Sequence, residues 1–558
     1  MSQFPYPSAD LALAEHDAAF ERPLFDVFAE VAARQPDHLA VDDGAARLTY
    51  AGLRDRALAL GARLAALVPA DGLVGVLVPT GALYPVAWLA CLAARRAFLP
   101  LDPSAPPMRN QAIVAEAGLA AAIVPSATAD FAAWLPAGLP RVPMTAEPGP
   151  EPAPLPSGLP PASVGLVLLT SGSTGRPKGV ALHERSHLRK AMSFRAFCKL
   201  GPDDRLLSLN PPSTAAGASD TFAALVSGAS LFPADLKRDG LGRVLTLLRD
   251  GGMTVCAAVP AVERAILATD GAARALSHLR ILRLNGDTVT GSDIAALAPL
   301  LAPTARILLR FGMTESGTTL AQRLIDPHAP VEAGRLAVGA PLPGQRVSVE
   351  DADGNPVAPG KQGELVVRGR YVALGHWVAG RLDATAFPAD PSDPDSRRYR
   401  SGDMVLLRPD GMLVPIGRAD RQTKINGMRV EPGDTEAALR SLPGVADVVV
   451  LVHGDADAPV LLAFVVPFAR DASAAPAARN AAQLARGWRS ALAALLPPQQ
   501  VPARIHVVPA IPLLPSLKPD LAVLRALAAE DAPGVFTLVR TWLRGAGRRA
   551  DVSTAPSP

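Results

Sequence analysis

A run of hydroxyl residues and glycines that leads up to a lysine marks the segment LLTSGSTGRPKGV, from Leu168 to Val180. Hydroxyl and backbone N–H groups donate hydrogen bonds to phosphate oxygens, and a lysine ammonium adds positive charge. These residue types therefore predict a loop that holds phosphate groups. The candidate donors are Thr170, Ser171, Gly172, Ser173, Thr174 and Lys178.

The spacing of this segment differs from that of the phosphate loop of P-loop NTPases. In the pattern GxxxxGK followed by Ser or Thr, counted from Gly172, Pro177 stands where glycine is needed. Gly179 stands where the hydroxyl that binds magnesium is needed, so a P-loop NTPase is disfavoured. A flexible turn without chemical function is the other interpretation, because Gly and Ser favour loops in any case.

The composition indicates a globular protein of more than one domain. The chain has 558 residues, 49% of them hydrophobic, and is too long for a single ordinary core. With 55 basic and 52 acidic residues the net charge is +3, so neither nucleic acid nor a membrane surface is expected as the main partner. The three cysteines are far apart, and the first residues lack the pattern of a signal peptide. We expect a cytoplasmic protein.

An uncharged stretch from Leu73 to Ala94 is long enough to span a bilayer. Pro79, Gly81 and Pro85 interrupt it, and VGVLV near its start has the form of a buried parallel strand. The pattern favours a strand, a turn and a buried helix over a membrane span.

Short apolar runs alternate with helix-like segments through the first three quarters of the chain. Most runs are followed by turn residues and then by helical apolar spacing, which is typical of α/β layers on a mostly parallel sheet. Strands are predicted at Ala120 to Val124, Gly165 to Leu169, Arg205 to Leu209, Arg280 to Leu284 and Ala305 to Phe311, and a helix within Leu48 to Val68.

Changes of pattern divide the chain into regions. The proline-rich segment from Pro143 to Ser163 is expected to be an exposed connection. Short alternating strands with PDG and DADGN turns predict a β-rich subdomain at about residues 334–415. The predicted fold class is α/β, with a large N-terminal domain of layered mixed sheets and helices (1–417) and a small mobile α+β C-terminal domain (418–540). The tail, 541–558, is expected to be disordered.

Three further segments, in order along the chain, resemble motifs of adenylate-forming enzymes. RFGMTESGTT (Arg310 to Thr319) is similar to the adenine and magnesium motif, YRSGDMVLLRPDG (Tyr399 to Gly411) to the ribose motif, and GRADRQTKINGMRVEPGDTEAAL (Gly417 to Leu439) to the hinge motif. LLTSGSTGRPKGV resembles the phosphate motif of the same superfamily, which comprises acyl- and aryl-CoA synthetases, luciferases and adenylation domains of nonribosomal peptide synthetases. The segments FLPLDPSAPPMR and GHWVAGRLDATAFPADP favour the peptide-synthetase branch.

The resemblance implies a reaction and a set of nucleotide contacts. These enzymes join a carboxylate to the α-phosphate of ATP in the presence of Mg²⁺, and they release pyrophosphate to leave an acyl-adenylate. By resemblance, Thr314 binds the α-phosphate, Glu315 binds Mg²⁺ and Phe311 stacks on adenine. The remaining ATP- or AMP-binding positions are the phosphate donors named above together with Asn285, Gly286, Asp287, Gly312, Met313, Asp403 and Arg418.

The C-terminal motifs imply a hinge and a catalytic lysine. Asp420 falls at the hinge, and Lys424 and Gly427 lie on the face that these enzymes use in the thioester-forming conformation. In IPLLPSLKPDLAVL, Lys518 stands at the position of the lysine that bridges the acid and the α-phosphate, although Leu517 replaces a glycine of the motif. Catalytic roles are therefore predicted for Lys518, Thr314 and Glu315.

The predicted acid pocket differs from that of amino-acid-activating relatives. Ala215 stands where those enzymes have an aspartate that binds the α-ammonium group, so an α-amino acid bound in the usual way is disfavoured. Arg283 and Arg310 either hold an anionic or hydroxylated acid or point outward to surface acids, and both interpretations stay open. Glu184 replaces a histidine of the superfamily, a change that could affect the acid side. The predicted pocket residues are Ala215, Ala216, Ser219, Arg283, Arg310, Thr318 and Thr319.

Three functions are compatible with this sequence. The first is a freestanding enzyme of secondary metabolism that loads the acid onto the phosphopantetheine thiol of a carrier protein in trans, since the sequence shows no carrier or condensation motif. The second is a CoA ligase for a small organic acid, which the peptide-synthetase-like segments disfavour. The third is a degenerate member that binds nucleotide without catalysis, suggested by the altered loop around Lys518.

Overall fold

The computed structural model describes most of the chain between Phe20 and Ala529. The described residues are 20–105, 107–125, 132–144, 164–171, 177–342, 346–391, 393–419, 423–425, 428–430, 432–454, 459–468, 478–514 and 517–529. Predictions that fall outside them concern Gly172, Ser173, Thr174, Asp420, Gly427, the tail 541–558 and most of the proline-rich connection. For Ser171 and Lys424 only the backbone is described.

The helices of the described residues are, in chain order, α1 (Leu24–Arg34), α2 (Tyr50–Leu67), α3 (Tyr84–Ala93), α4 (Pro107–Ala117), α5 (Glu184–Cys198), α6 (Ala215–Ser227), α7 (Leu236–Asp250), α8 (Pro260–Leu267), α9 (Ala272–Leu276), α10 (Gly291–Leu297), α11 (Pro432–Arg440), α12 (Ala478–Leu495) and α13 (Leu521–Ala529). Short 3₁₀ helices cover Ala298–Leu300 and Pro498–Gln500.

The strands of the same residues are β1 (Leu39–Asp42), β2 (Arg47–Thr49), β3 (Leu73–Val76), β4 (Phe98–Pro100), β5 (Leu119–Pro125), β6 (Arg141–Met144), β7 (Val164–Ser171), β8 (Pro177–His183), β9 (Arg205–Ser208), β10 (Ser230–Pro233), β11 (Val255–Ala258), β12 (Ile281–Asn285), β13 (Arg306–Phe311), β14 (Ala321–Ile325), β15 (Arg346–Glu350), β16 (Gln362–Gly369), β17 (Gly375–Val378), β18 (Arg381–Asp383), β19 (Ala389–Asp390), β20 (Asp393–Leu407), β21 (Leu413–Arg418), β22 (Thr423–Ile425), β23 (Met428–Val430), β24 (Val445–His453), β25 (Val460–Pro467) and β26 (Arg504–Val507).

The chain divides into two compact units. The larger contains Met1–Val289, Ile294–Val331 and Ala337–Pro415. The smaller contains Ile416–Pro558 together with Thr290–Asp293 and Glu332–Leu336. Each unit is described separately below.

The first sheet of the larger unit has the strand order β14-β13-β12-β11-β9-β10-β1-β2. Its six inner strands run parallel, and β2 and β14 are antiparallel edge strands. Parallel strands end at a common edge of their sheet, and ligands bind at that edge in open α/β sheets. Since β12 and β13 are parallel neighbours, the residues that follow them lie side by side.

The second sheet has the order β18-β17-β8-β7-β4-β3-β5-β6. Strands β7, β4, β3, β5 and β6 are parallel, whereas β7, β8, β17 and β18 are joined by antiparallel pairs. The segment Leu73 to Ala94 forms β3, a turn and the fully buried α3, which confirms the predicted strand–turn–helix. No helix in the described part of the chain combines the length and the hydropathy needed to cross a membrane.

One hydrophobic core connects both sheets with the helices that pack between them. It contains Val74 and Phe98 from the second sheet and Leu206 and Leu308 from the first. Helices α1, α2, α3, α5 and α6 pack on one another within it. Burial of both faces explains why the strands read as continuous apolar runs in the sequence.

The β-rich region forms a third sheet with the order β15-β16-β20-β19, in which β21 also pairs with β20. Strands β17 and β18, which lie within the same stretch of sequence, pair instead with β8 of the second sheet. In the smaller unit, β24, β25 and β26 form a sheet whose core includes Val448, Trp488 and Leu492. These elements confirm the predicted mixed α/β fold with a small α+β region.

One local prediction was wrong. Pro143 was placed in an exposed connection, but it lies in β6, which pairs in parallel with β5. Because β6 is the last strand of its sheet, a residue without an N–H group is tolerated there.

Candidate active site

The phosphate-motif segment forms an antiparallel hairpin of β7 and β8. Thr170 pairs with Lys178 across the two strands, and the Thr170 hydroxyl donates to the Lys178 carbonyl over 3.4 Å. Thr170 is half-buried and Lys178 is exposed. The hairpin therefore holds these two predicted phosphate contacts next to each other.

The predicted adenine turn follows β12 directly. Gly286 has a φ of +88°, which favours glycine, and Asp287 accepts a hydrogen bond from its neighbour Thr288 N over 2.7 Å. Asn285 pairs in register with Arg310 of β13. The turn 285–287 thus lies beside the start of the second predicted nucleotide motif.

The segment after β13 is a compact turn held by its own hydrogen bonds. The Ser316 hydroxyl donates to the Met313 carbonyl over 2.7 Å, and Gly317 N donates to the Thr314 carbonyl over 3.0 Å. Gly317 has a φ of +69°, and a Cβ there would lie 1.8 Å from the Tyr371 carbonyl oxygen. Only glycine fits, so the backbone itself fixes this turn. It leaves Phe311, Met313, Thr314 and Glu315 half-buried and Gly312 exposed. We call residues 285–287 and 311–317 the carboxyl-edge turns.

His376 is a residue that sequence reasoning missed. It lies on β17, which pairs with β8 next to the phosphate hairpin. Burial lowers the pKa of His376, while Glu315 raises it and Lys178 lowers it. Both charges therefore act on one half-buried imidazole, which links the phosphate hairpin to the turn that carries the predicted magnesium ligand.

The predicted ribose contacts lie in different units. In the larger unit, Asp403 is half-buried on β20, and its N–H donates to the Ser401 hydroxyl over 3.0 Å. Ser401 is itself anchored to the Leu365 carbonyl over 2.7 Å. In the smaller unit, Arg418 ends β21 with an exposed side chain.

The pocket arginines are buried, which contradicts one of the two interpretations of them. Arg283 is 1% exposed and Arg310 is 9% exposed. Arg283 forms an ion pair with the fully buried Asp220 of α6 and donates to Asn285. The alternative in which both arginines point outward to surface acids is therefore wrong.

Arg310 bonds to two other predicted pocket residues. It donates to the Ser219 hydroxyl over 2.9 Å and to the Thr319 hydroxyl, and also to the Lys190 carbonyl over 3.2 Å. Thr318 is buried too, and its hydroxyl has no hydrogen-bond partner among the residues that the structure describes. The structure thus brings Ser219, Arg310 and Thr319 together.

Several residues around these arginines belong to none of the motifs recognised in the sequence. Lys190 of α5 is 7% exposed. Its pKa is lowered to about 7, mainly by burial and further by the positive charges of Arg310 and Arg283. His187, one turn earlier, is buried, and its pKa is lowered to about 3 by burial and then by Lys190. We call Lys190, Asp220, Arg283 and Arg310 the cationic cluster.

Ala215 and Ala216 begin α6 and are half-buried. Thr214 caps this helix, since its hydroxyl accepts from Gly217 N over 3.1 Å. Asp220 lies later on the same helix but is committed elsewhere, because it also accepts from Asn210 over 2.8 Å. It is therefore no substitute for the carboxylate that is missing at Ala215.

The sequence suggested that Glu184 could affect the acid side of the site, whereas the structure places its carboxylate against α1. Its carboxylate accepts from Leu24 N at the start of α1, and burial raises its pKa to about 7. Its first partner is thus a helix N-terminus, and no contact with the predicted acid pocket is found for it among the described residues.

The loop around Lys518 keeps a tight backbone turn in spite of its altered sequence. Leu517 has a φ of +60°, the region that glycine prefers, and its side chain is buried. Leu514 N donates to the Lys518 carbonyl over 2.8 Å, and Leu517 N donates to the Leu514 carbonyl over 3.0 Å. Leu517 thus adopts the conformation that the glycine of the motif would favour, and Lys518 stays exposed.

The comparisons with known proteins agree with these motifs. The AMP-binding enzyme family model matches residues 28–377, and the model of the AMP-binding enzyme C-terminal domain matches residues 434–518. The chain is 36% identical over 511 residues to CymA of Salinispora arenicola, a probable nonribosomal peptide synthetase, covering 90% of this chain and 6% of CymA. The chain spans only part of several curated relatives that it matches, between 6% and 43% of their length.

Solved structures share the fold. Klebsiella oxytoca NpsA, in complex with 3-hydroxyanthranilyl-AMSN, has a TM-score of 0.73 and 22% identity over 91% of this chain and 100% of that one. The anthranilate CoA ligase AuaEII, in complex with anthranoyl-AMP, has a TM-score of 0.78 and 18% identity over 91% of this chain and 98% of that one. The match of the AMP-binding enzyme model to residues 28–377, more than half of the chain, shows that the chain belongs to the AMP-binding enzyme family.

Proposed function

We propose that the chain joins a carboxylic acid to the α-phosphate of ATP, releases pyrophosphate, and passes the acyl group to the thiol of a carrier protein. The observation that carries this proposal is the arrangement of the carboxyl-edge turns and the phosphate hairpin. His376 is within the electrostatic influence of both Lys178 and Glu315, so these two groups from separate motifs share one locality. A nucleoside triphosphate and its metal ion need a positive charge and a carboxylate that lie close together in this way.

The residues of this chain have separable tasks in that reaction. Thr170, Lys178 and Thr314 neutralise and orient phosphate oxygens, which places the α-phosphorus for attack by the acid. Lys518 supplies a further positive charge between the two anions. The chemistry is mostly positioning and charge neutralisation, because the acid itself is the nucleophile.

Mg²⁺ fits the donor set at Glu315. Magnesium is commonly held by one or two carboxylates together with substrate phosphates and water. The described residues hold no group of three or more acidic, histidine or cysteine side chains that would form a complete metal cage. Glu315 would thus supply a protein oxygen ligand, and the bound ion would neutralise phosphate charge.

The acceptor is proposed from the relatives. The carrier-protein assignment rests on the similarity to peptide synthetases, and the fusion of NpsA with ThdA is described as an adenylation–PCP di-domain. AuaEII is a CoA ligase, which keeps CoA as the alternative acceptor.

The test is acid-dependent exchange of labelled pyrophosphate into ATP with a panel of carboxylic acids. We expect exchange with at least one acid, and a loss on the order of 10²- to 10³-fold in Lys518→Ala. Lys361→Ala, which removes an exposed lysine of the β-rich region, is the matched control and should keep the wild-type rate. No exchange with any acid would contradict the proposed activity. Offering CoA or a phosphopantetheinylated carrier protein to the active pair then identifies the acceptor.

A further inference from the structure

The four charged groups of the cationic cluster are all withdrawn from water. Their exposed fractions are 7% for Lys190, 0% for Asp220, 1% for Arg283 and 9% for Arg310. They come from four elements, since α5 and α6 supply Lys190 and Asp220 and the neighbouring strands β12 and β13 supply the two arginines. The cluster is a built site rather than a solvated surface.

The positive charge of Arg283 is neutralised by another member of the cluster. Its guanidinium forms an ion pair with Asp220 and bonds to Asn285. Asp220 in turn accepts from Ser208 over 2.9 Å and from Asn210 over 2.8 Å. This pair is balanced in charge and largely satisfied in hydrogen bonds.

Among the described residues, the hydrogen-bond partners of Arg310 are all neutral. It donates to the hydroxyls of Ser219 and Thr319 and to the Lys190 carbonyl, and its Nε is buried with no partner in the described part of the chain. Burial and, to a lesser extent, the positive charge of Arg283 lower the pKa of Arg310 to about 9, so Arg310 stays charged at neutral pH. Its side chain therefore places an unneutralised positive charge beside two predicted pocket residues.

Lys190 adds a second basic group to the same place, and its lowered pKa of about 7 leaves it partly charged at neutral pH. The charges that act on it are those of Arg310 and Arg283, both of the same sign. Asp220 is the carboxylate that raises the pKa of both arginines. Three basic groups thus share one acid, and that acid is paired with Arg283.

A buried charge without a counter-charge costs several kcal/mol, on the order found when one partner of a buried ion pair is removed. A ligand that brings a negative group would supply the missing counter-charge. We infer that the acid activated by this chain carries a second anionic group, most simply a second carboxylate, which Arg310 and Lys190 bind. This inference rests on the proposed acid activation and names the class of substrate.

The reacting carboxylate does not explain the cluster. The predicted α-phosphate ligand Thr314 lies on a half-buried turn, whereas Arg310 precedes that turn and bonds to the buried Ser219 and Thr319. The surplus charge is therefore deeper than the site of adenylation. An α-ammonium group is also disfavoured, because it would face two cations without the carboxylate that Ala215 replaces.

The experiment compares acids that differ in one charge. Pyrophosphate exchange is measured with malonic, succinic, glutaric and isophthalic acids, each against its own monoamide, which keeps one carboxylate for activation. We expect the preferred diacid to exchange faster than its monoamide by on the order of 10-fold or more. In Arg310→Met the ratio of diacid to monoamide exchange should fall towards one.

Arg306→Met is the matched control. Arg306 lies on the same strand, β13, but its partner is Asp326, and both side chains are more than one third exposed. This variant should keep the wild-type ratio. If Arg310→Met does not fold, Lys190→Met is used, and a reduced ratio is again expected.

Each outcome is decisive. A diacid preference that Arg310→Met or Lys190→Met abolishes supports the inference. Equal or faster exchange with the monoamides, or exchange with monoacids alone, overturns it and leaves the proposed acid activation intact. No exchange with any acid overturns the proposed activity itself.

Discussion

The carboxyl-edge turns and the cationic cluster lie next to each other on β12 and β13, yet they are built in opposite ways. The turns are defined by backbone, as at Gly317, where a Cβ would lie 1.8 Å from a carbonyl oxygen. The cluster is defined by side chains from α5, α6, β12 and β13 that neutralise one another incompletely. Along β13, Arg310 of the cluster immediately precedes Phe311 of the turns.

This difference explains why the turns are recognisable in the sequence and the cluster is not. A turn that must present phosphate ligands tolerates few sequences, so it is recognisable as a motif. A pocket that must match one acid is assembled from residues far apart in sequence, and each can change independently. We therefore expect the turns to determine the reaction and the cluster to determine the class of acid.

The largest expected effect comes from breaking the ion pair of the cluster. Asp220→Ala leaves Arg283 buried without its carboxylate, and we expect a loss of about 3–5 kcal/mol in the free energy of unfolding. Urea titration measures this loss. Asp353→Ala, which removes an exposed acid, should stay within about 0.5 kcal/mol of the wild type.

A double variant sharpens the same test. Replacing both partners, as Asp220→Leu with Arg283→Met, removes the unpaired charge and should recover most of the stability. If Asp220→Ala alone proved as stable as the wild type, the pair would not be the buried anchor described here.

The next effect tests whether the turns depend on their backbone. Gly317→Ala places a Cβ against the Tyr371 carbonyl oxygen at positive φ, and we expect a loss of about 2–4 kcal/mol together with slower exchange. Gly360→Ala is the matched control, because Gly360 has a φ of +86° with open space around it. It should cost about 1 kcal/mol, the cost of the backbone conformation alone. Equal losses in both variants would show that the close contact is unimportant.

A pH effect is specific to the cluster. Lys190 loses its proton near pH 7 when folded and near its ordinary pKa of 10.5 when unfolded. The unfolded chain therefore binds more protons between these values, and the contribution of Lys190 to stability rises with pH across that window. Relative to Lys190→Met, the wild type should gain up to about 1.4 kcal/mol per pH unit above pH 7. A difference that is constant from pH 6 to pH 9 would contradict the buried position of Lys190.

The smallest effect concerns the loop of the predicted catalytic lysine. Leu517 has a φ of +60°, so Gly should be more stable there than Ala by about 1 kcal/mol, the reverse of their order in a helix. The two variants lose the same buried side chain apart from one methyl group, which makes them a matched pair. Urea titration of Leu517→Gly and Leu517→Ala gives the difference, and greater stability of the Ala variant would exclude this backbone conformation.

Features that lie within one short segment of the chain could be predicted from the sequence. The strand β3 with its buried helix α3 and the strands β7 and β13 are each local, and each was predicted. Pro143 was misplaced because the edge position of β6 depends on the strand order of the sheet. The partners of Arg283 and Arg310 could not be predicted, because Asp220 and Lys190 are far away in sequence and belong to no motif. His376 was missed for the same reason.

The central claim is that the acid end of the site prefers negative charge while the nucleotide end is that of the family. Binding of three non-hydrolysable adenylate analogues tests it directly, because the nucleotide is the same in all three. Their acyl chains, built on the diacid that exchanges fastest, end in a carboxylate, a carboxamide or an ammonium group. Calorimetry should give at least about 10-fold tighter binding for the carboxylate than for the carboxamide, or about 1.4 kcal/mol, and the weakest binding for the ammonium. Equal affinities, or tightest binding of the ammonium analogue, would contradict the account.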